Sequence, residues 1–332
     1  MRVNAGAKIP MVQLSLDDAG KAALERNLPM IMRLARIEEV SEATEAPKGA
    51  VTLPVEGGSF CLPLADVIDI EEEKARLAEA ERPFLLIGGS GWTAQAQAQM
   101  AAFAERFVAQ GYACLLFDYR HFGDSDGEPR QLLDIKKQLQ DWKAAIEHAR
   151  GLAQVDPDRV ILWGTSFSGG HVLATAADDP RIAAVISQCP FTDGLASTLA
   201  TEPLVSAKLT AKALRDRLGA FVGAAPVMVA VAGRPGDTAL MTAPDVWDGY
   251  MNLVPEGARI RNEAAARVAL DIIRYHPGRK AAGIRAPVFF CVCDNDTVAP
   301  AKQTLRHASR VPRHEIRRYQ AGHFEIYVGE AF

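Results

Sequence analysis

No run in this chain approaches the about 20 apolar residues that a membrane-spanning helix needs; the apolar segment at 227–231 is far too short. No apolar region follows Met1-Arg2-Val3-Asn4-Ala5-Gly6 of the kind that directs secretion, so the expected compartment is the cytoplasm. Cysteine is scarce: five are scattered over 332 residues, an odd number without framework spacing, which argues against a disulfide-stapled fold. Cys291 and Cys293 lie two apart in an apolar run with no further ligand nearby in sequence, so they read as reduced core residues rather than metal ligands. Charge of one sign is not in excess, since 37 Lys and Arg against 41 Asp and Glu give a net −4. That balance gives no general pull towards nucleic acid or anionic lipid. The expected partner is a small molecule, with no nucleic acid and no membrane, and the oligomeric state stays open, a dimer included. Internal repeats and low-complexity tracts are absent as well.

The chain changes character near residue 81. Before it, residues 11–16 read as a strand and 17–36 as a helix capped by Asp17 or Asp18. Residues 50–64 read as a hairpin around Glu56-Gly57-Gly58, because a Gly-Gly pair supplies the positive φ of a tight turn. Residues 71–80 form a charged helical stub. After residue 81, strands expected at 83–87, 112–117, 159–163 and 182–187 alternate with helices at 93–110, 131–149 and directly after Ser166. Near-continuous apolar strands alternating with helices indicate an α/β fold with a mostly parallel sheet covered on both faces. The rhythm breaks at 190–284, which reads as a helix-rich cap insertion, and resumes with strands at 287–293 and 315–319. The expected organisation is thus a small α+β appendage, 1–80, and a main domain, 81–332.

A serine hydroxyl is a poor nucleophile at neutral pH and needs a base and a sharp presentation. The segment Gly164-Thr165-Ser166-Phe167-Ser168 follows one of the apolar strands and opens a helix at once, so it supplies such a turn. The usual pattern has glycine in the fifth position, where this chain has Ser168; serine is small enough for the turn to survive. An acid should follow a late strand, and Asp296 in Cys293-Asp294-Asn295-Asp296-Thr297 fits, with Asp294 as fallback. The base should follow the last strand, and His323 in Ala321-Gly322-His323-Phe324 does. An oxyanion needs two backbone donors; the N–H groups of Phe167 and of Ser90, in the turn Gly88-Gly89-Ser90-Gly91, are the expected pair. Trp92, His121, Phe191 and Trp247 are possible pocket liners, and His307 and His314 read as surface residues.

A competing pattern exists. Gly89-x-Gly91 after a strand, with Asp118 ending the next one, approximates a dinucleotide-binding turn and would imply an NAD(P)-dependent oxidoreductase. It leaves the ordered Ser166, Asp296 and His323 unexplained. A third reading is an inactive interaction protein.

From about residue 83 the chain resembles the α/β-hydrolase superfamily, in the branch of acyl esterases and X-Pro dipeptidyl-peptidase-like enzymes. The resemblance rests on Phe117-Asp118-Tyr119-Arg120-His121-Phe122-Gly123-Asp124-Ser125, residues 164–171, Asp296, Gly322-His323-Phe324 and Arg261-Asn262-Glu263-Ala264-Ala265-Ala266-Arg267. It implies a serine esterase acting on a small-molecule ester through an acyl-enzyme, with no cofactor; peptidase, thioesterase and lactonase activities share the same residues. Residues 1–80, through Ala5-Gly6-Ala7-Lys8-Ile9-Pro10 and Leu62-Pro63-Leu64-Ala65-Asp66-Val67-Ile68-Asp69-Ile70, resemble the segment preceding the C-terminal coiled coil of valyl-tRNA synthetase. The two resemblances meet as in a chimeric reading frame. The hairpin at 50–64 is expected to cover or extend the edge of the main sheet.

Overall fold

The computed structural model describes residues 2–5, 9–16, 39–41, 50–55, 58–63, 84–89, 94–153, 155–254 and 261–329. The chain divides into two compact units, Met1–Arg82 and Pro83–Phe332. In the first, strands β1 (Arg2–Ala5), β2 (Ile9–Leu16), β3 (Glu39–Ser41), β4 (Ala50–Val55) and β5 (Gly58–Pro63) form an antiparallel sheet in the order β3-β1-β2-β5-β4. Val55 pairs with Gly58 across the hairpin. Both hairpin strands pair within this sheet. The helices expected at 17–36 and 71–80 lie outside the described residues.

The second unit is built on six parallel strands. They are β6 (Leu85–Gly89), β7 (Ala113–Phe117), β8 (Val160–Thr165) and β9 (Ala184–Gln188), followed by two more after an insertion. The insertion carries its own strands, β10 (Met228–Ala232), β11 (Ala239–Met241) and β12 (Glu263–Ala265). The main sheet then closes with β13 (Val288–Cys293) and β14 (His314–Tyr319), in the order β14-β13-β9-β8-β6-β7. The chain first runs outward from β6 to β7, then returns across β6 to β8. The strand order reverses there, and the carboxyl ends of β6 and β8 border the crevice where open parallel sheets place their sites.

Packing explains the apolar strands. Along β8, Val160 and Leu162 enter one core with Trp142, Ile146 and Val172, while Ile161 and Trp163 enter another with Leu86, Met100 and Phe103. Helix α1 (Ala94–Ala109) covers the second face, and α2 (Ile135–Arg150) and α3 (Phe167–Asp178) cover the first. Helix α2 starts at 135 rather than 131 because Gln131 has φ 61, outside the helical region, and the Asp134 carboxylate caps the N–H groups of Lys136 and Lys137.

The insertion differs from the helical cap expected. It contains α4 (Gly194–Leu199), α5 (Pro203–Phe221), α6 (Val246–Asn252) and α7 (Val268–Ile272), but also a three-stranded sheet, β11-β10-β12, whose centre is the apolar run at 227–231. Asp216 on α5 ties it together. Its side chain is wholly buried and accepts four hydrogen bonds, from Val227 N (2.8 Å) and from Arg267 N (2.8 Å), Nε (2.7 Å) and Nη2 (2.9 Å). Burial alone would raise the Asp216 pKa, but the Arg267 hydrogen bonds outweigh it and hold the carboxyl below its usual range. A last helix, α8 (Ala301–Ala308), follows β13.

Candidate active site

Strand β8 delivers Ser166 at the carboxyl edge of the sheet, on a backbone that side chains rarely adopt, φ 55 and ψ −118. Two hydrogen bonds to the next strand's end hold it there: Ser166 N donates to Gln188 O (2.9 Å) and Phe191 N donates to Ser166 O (2.9 Å). The turn needs small neighbours. A Cβ on Gly164 would lie 2.3 Å from Ser168 O, and one on Gly170 would lie 2.2 Å from Phe191 O. Ser168 fits because its hydroxyl meets Tyr119 Oη at 2.8 Å. Tyr119 Oη itself accepts from Trp142 Nε1 at 2.7 Å, which fixes the phenol beside Ser168. The tight requirement for glycine has moved on to Gly169 and Gly170, where Pro190 and Phe191 press against α3.

His323, in the loop after β14, places Nε2 2.9 Å from Ser166 Oγ and Nδ1 2.7 Å from Asp296 Oδ2. Asp296 Oδ1 accepts from Val298 N (2.9 Å) and Ala299 N (2.6 Å), which fixes the carboxylate's orientation. Asp294 turns away and bonds Arg318 and Gln320 instead. Burial works against the imidazolium of His323, but the charges of Asp296 and Cys189 and the hydrogen bond that His323 donates to Asp296 outweigh it and lift the pKa to about 9.

Cys189 enters this site unannounced by its sequence context. It follows β9 with φ 32, and its Sγ lies 3.5 Å from both Thr165 Oγ1 and Tyr327 Oη. Burial raises the thiol's pKa, whereas the hydrogen bond from Cys293 and the His323 charge lower it, to about 6. One donor atom each from Cys189, Asp296 and His323 lie within 4.8 Å of one another. Both imidazole nitrogens of His323 are engaged, one by Ser166 and the other by Asp296.

Beside Ser166 opens a cavity of about 380 Å³. Its wall includes Phe167, Phe191, Leu209, Leu240, Val246 and Ile272, and the hydroxyls of Thr201, Ser206 and Thr210. Glu202 is its one charged lining residue among those described, and no Lys, Arg or His faces it. Phe191 therefore lines the cavity, but His121 and Trp247 do not. His121 is buried in the loop after β7, with Nε2 3.0 Å from Lys137 Nζ, and Trp247 stands one residue on from the inward Val246, with the Arg234 guanidinium over its ring. Phe167 opens α3, where backbone N–H groups point out of the helix's first turn. Ser90 and Trp92 lie outside the described residues. Gly89, the last residue of β6, pairs with both Phe117 and Gly164, two residues before Ser166.

The rival nucleotide pattern dissolves at Asp118. Its carboxylate accepts from Asp124 N (3.1 Å) and its carbonyl from Ser125 Oγ (2.7 Å), so it closes its own loop. His171 is packed between Tyr275 Oη (2.6 Å) and Gln138 Oε1 (2.9 Å), and burial pushes its pKa down to about 3. His307, expected on the surface, is buried, because α8 lays its ring against Gly278.

The chain is 65% identical over 234 residues to the quorum-quenching protein AidA of Acinetobacter baumannii, a match covering 70% of this chain and 77% of that one. Residues 56–216 match the X-Pro dipeptidyl-peptidase (S15 family) model. The α/β hydrolase GrgF from Penicillium sp. superimposes with a TM-score of 0.62 at 23% identity, over 76% of this chain and 86% of that one.

The chain belongs to the α/β-hydrolase superfamily.

As an α/β-hydrolase it carries an N-terminal segment of separate likeness. Over 79 residues it is 61% identical to the valine–tRNA ligase of Cereibacter sphaeroides, which is 24% of this chain and 8% of the ligase. Among the described residues no helix is long and apolar enough to cross a membrane.

Proposed function

We propose that the protein is a serine hydrolase that cleaves a small carboxylic ester through an acyl-enzyme. The observation that carries this reading is the unbroken chain from Ser166 Oγ through His323 to Asp296, at 2.9 and 2.7 Å. Ser166 Oγ attacks the acyl carbon while its proton passes to His323 Nε2. The C–O bond to the alcohol then breaks and the alcohol leaves with that proton. A water molecule repeats the sequence, giving its proton to Nε2, releasing the acid and restoring the serine. Asp296 holds the imidazole by Nδ1–H and stabilises its charged form. The developing oxyanion is assigned to the N–H groups of Phe167 and Ser90.

The cavity supports a neutral acyl group: apolar walls and hydroxyls take alkyl chains and uncharged polar groups, and the absence of a lining cation among the described residues disfavours anionic ones. The quorum-quenching designation of the A. baumannii relative adds small signal molecules to the panel, lactones and thioesters beside simple esters. The test is kcat/KM on p-nitrophenyl esters of rising acyl length. Asp296→Asn should lose about 10⁴ in kcat, and Asp294→Asn should stay near wild type. Folded wild-type protein that hydrolyses none of these substrates, or an Asp294→Asn variant that is the more damaged, overturns the assignment.

A further inference from the structure

Helix α5 has two apolar sides, and only one is used. Val205, Leu209 and Ala213 face inward, and Leu209 and Thr210 reach the cavity. On the other side Leu204, Ala207, Ala211, Leu214, Leu218 and Phe221 recur every three or four residues and all are exposed. Leu218 is 66% exposed and Phe221 83%, and Val222 beyond the helix end is 82% exposed. A contiguous apolar stripe of this length on a water-facing helix marks an interaction surface.

The charges beside the stripe identify its partner. Lys208, Lys212 and Arg215 flank it, exposed and without an ion pair among the described residues. Arg217 is taken by Asp271 and Asp216 by Arg267, so Glu202 at the N-cap is the only other acid on the segment. A second copy of the chain would set cationic flanks against cationic flanks about a two-fold axis, which is repulsive. An apolar stripe bordered by Lys and Arg matches a helix lying in the plane of an anionic lipid surface. We propose that α5 docks on such a surface and so brings the adjoining cavity close to acyl compounds dissolved in lipid. The net charge of −4 does not oppose this, because the relevant field is local to one helix.

Co-sedimentation of the full chain with vesicles of equal parts phosphatidylcholine and phosphatidylglycerol, against pure phosphatidylcholine, tests this without reference to catalysis. Wild type should partition onto the anionic vesicles and be released by salt. At roughly fivefold per cationic side chain, the triple change Lys208→Gln, Lys212→Gln, Arg215→Gln should weaken that binding about 100-fold. Leu218→Glu with Phe221→Glu should abolish it, and both variants should keep wild-type circular dichroism, since all five positions face water. No partition of wild type, or partition unchanged in either variant, overturns the proposal. A wild-type dimer by light scattering that Leu218→Glu with Phe221→Glu splits would assign the stripe to a second copy instead.

Discussion

Replacing Asp216 by alanine should be among the most destabilising single changes in the cap insertion. The carboxylate is wholly buried and fully satisfied by Val227 N and three groups of Arg267, whose own side chain is only 17% exposed. Asp216→Ala leaves a guanidinium in the interior without its anion and two backbone N–H groups without acceptors. Breaking a buried pair from one side costs about 3–5 kcal/mol. For a unit of this size that corresponds to roughly 10 °C in Tm. Urea and thermal unfolding at pH 7 measure it, and a double-mutant cycle isolates the pair: Arg267→Met added to Asp216→Leu should recover most of the loss, because a well-packed apolar pair replaces both charges. The pH dependence has a defined sign. The folded-state pKa of Asp216 is depressed, so its contribution is present above the ordinary carboxylate range and fades only as pH falls through the lower folded value. A loss under about 1 kcal/mol, the size of an exposed ion pair, or strict additivity in the cycle, would refute the reasoning.

Two further outcomes follow from the site. His323 must be neutral to act as base, so with its pKa near 9 the kcat/KM of ester hydrolysis should fall about tenfold per pH unit below that value; a limb centred near 6.5 would contradict it. The same raised pKa means that its stabilising contribution is full below about 6.5 and is lost as pH rises through about 9, which unfolding of wild type against His323→Gln across that window should reveal. At the nucleophile turn, Gly170→Ala should cost at least about 1–3 kcal/mol through its clash with Phe191 O, whereas Ser168→Gly should be mild; equal effects would show that the glycine requirement has not moved along α3.

What was legible in the sequence was what local pattern encodes. The apolar runs became the strands of the parallel sheet within a residue or two, and the order Ser166, Asp296, His323 could be read because each follows a strand end and the sheet gathers strand ends on one edge. Ser168 was readable as tolerable, but not why, since the Tyr119 hydroxyl that bonds it comes from 49 residues away in sequence. The 51-residue separation of Asp216 and Arg267 hid their pairing in the same way. The run at 227–231 was too short to tell strand from core helix, so the small sheet of the insertion went unread. Nothing in the sequence around Cys189 singles it out, and only the fold brings its thiol within 4.8 Å of the His323 ring.

The central claim is that Ser166 is an activated nucleophile. Intact-mass and peptide mapping after treatment of the full chain with a fluorophosphonate tests it most directly. A single adduct on the peptide containing Ser166, absent from a folded Ser166→Ala variant, is the predicted result; an unlabelled wild type, or an adduct that survives in Ser166→Ala, would contradict it.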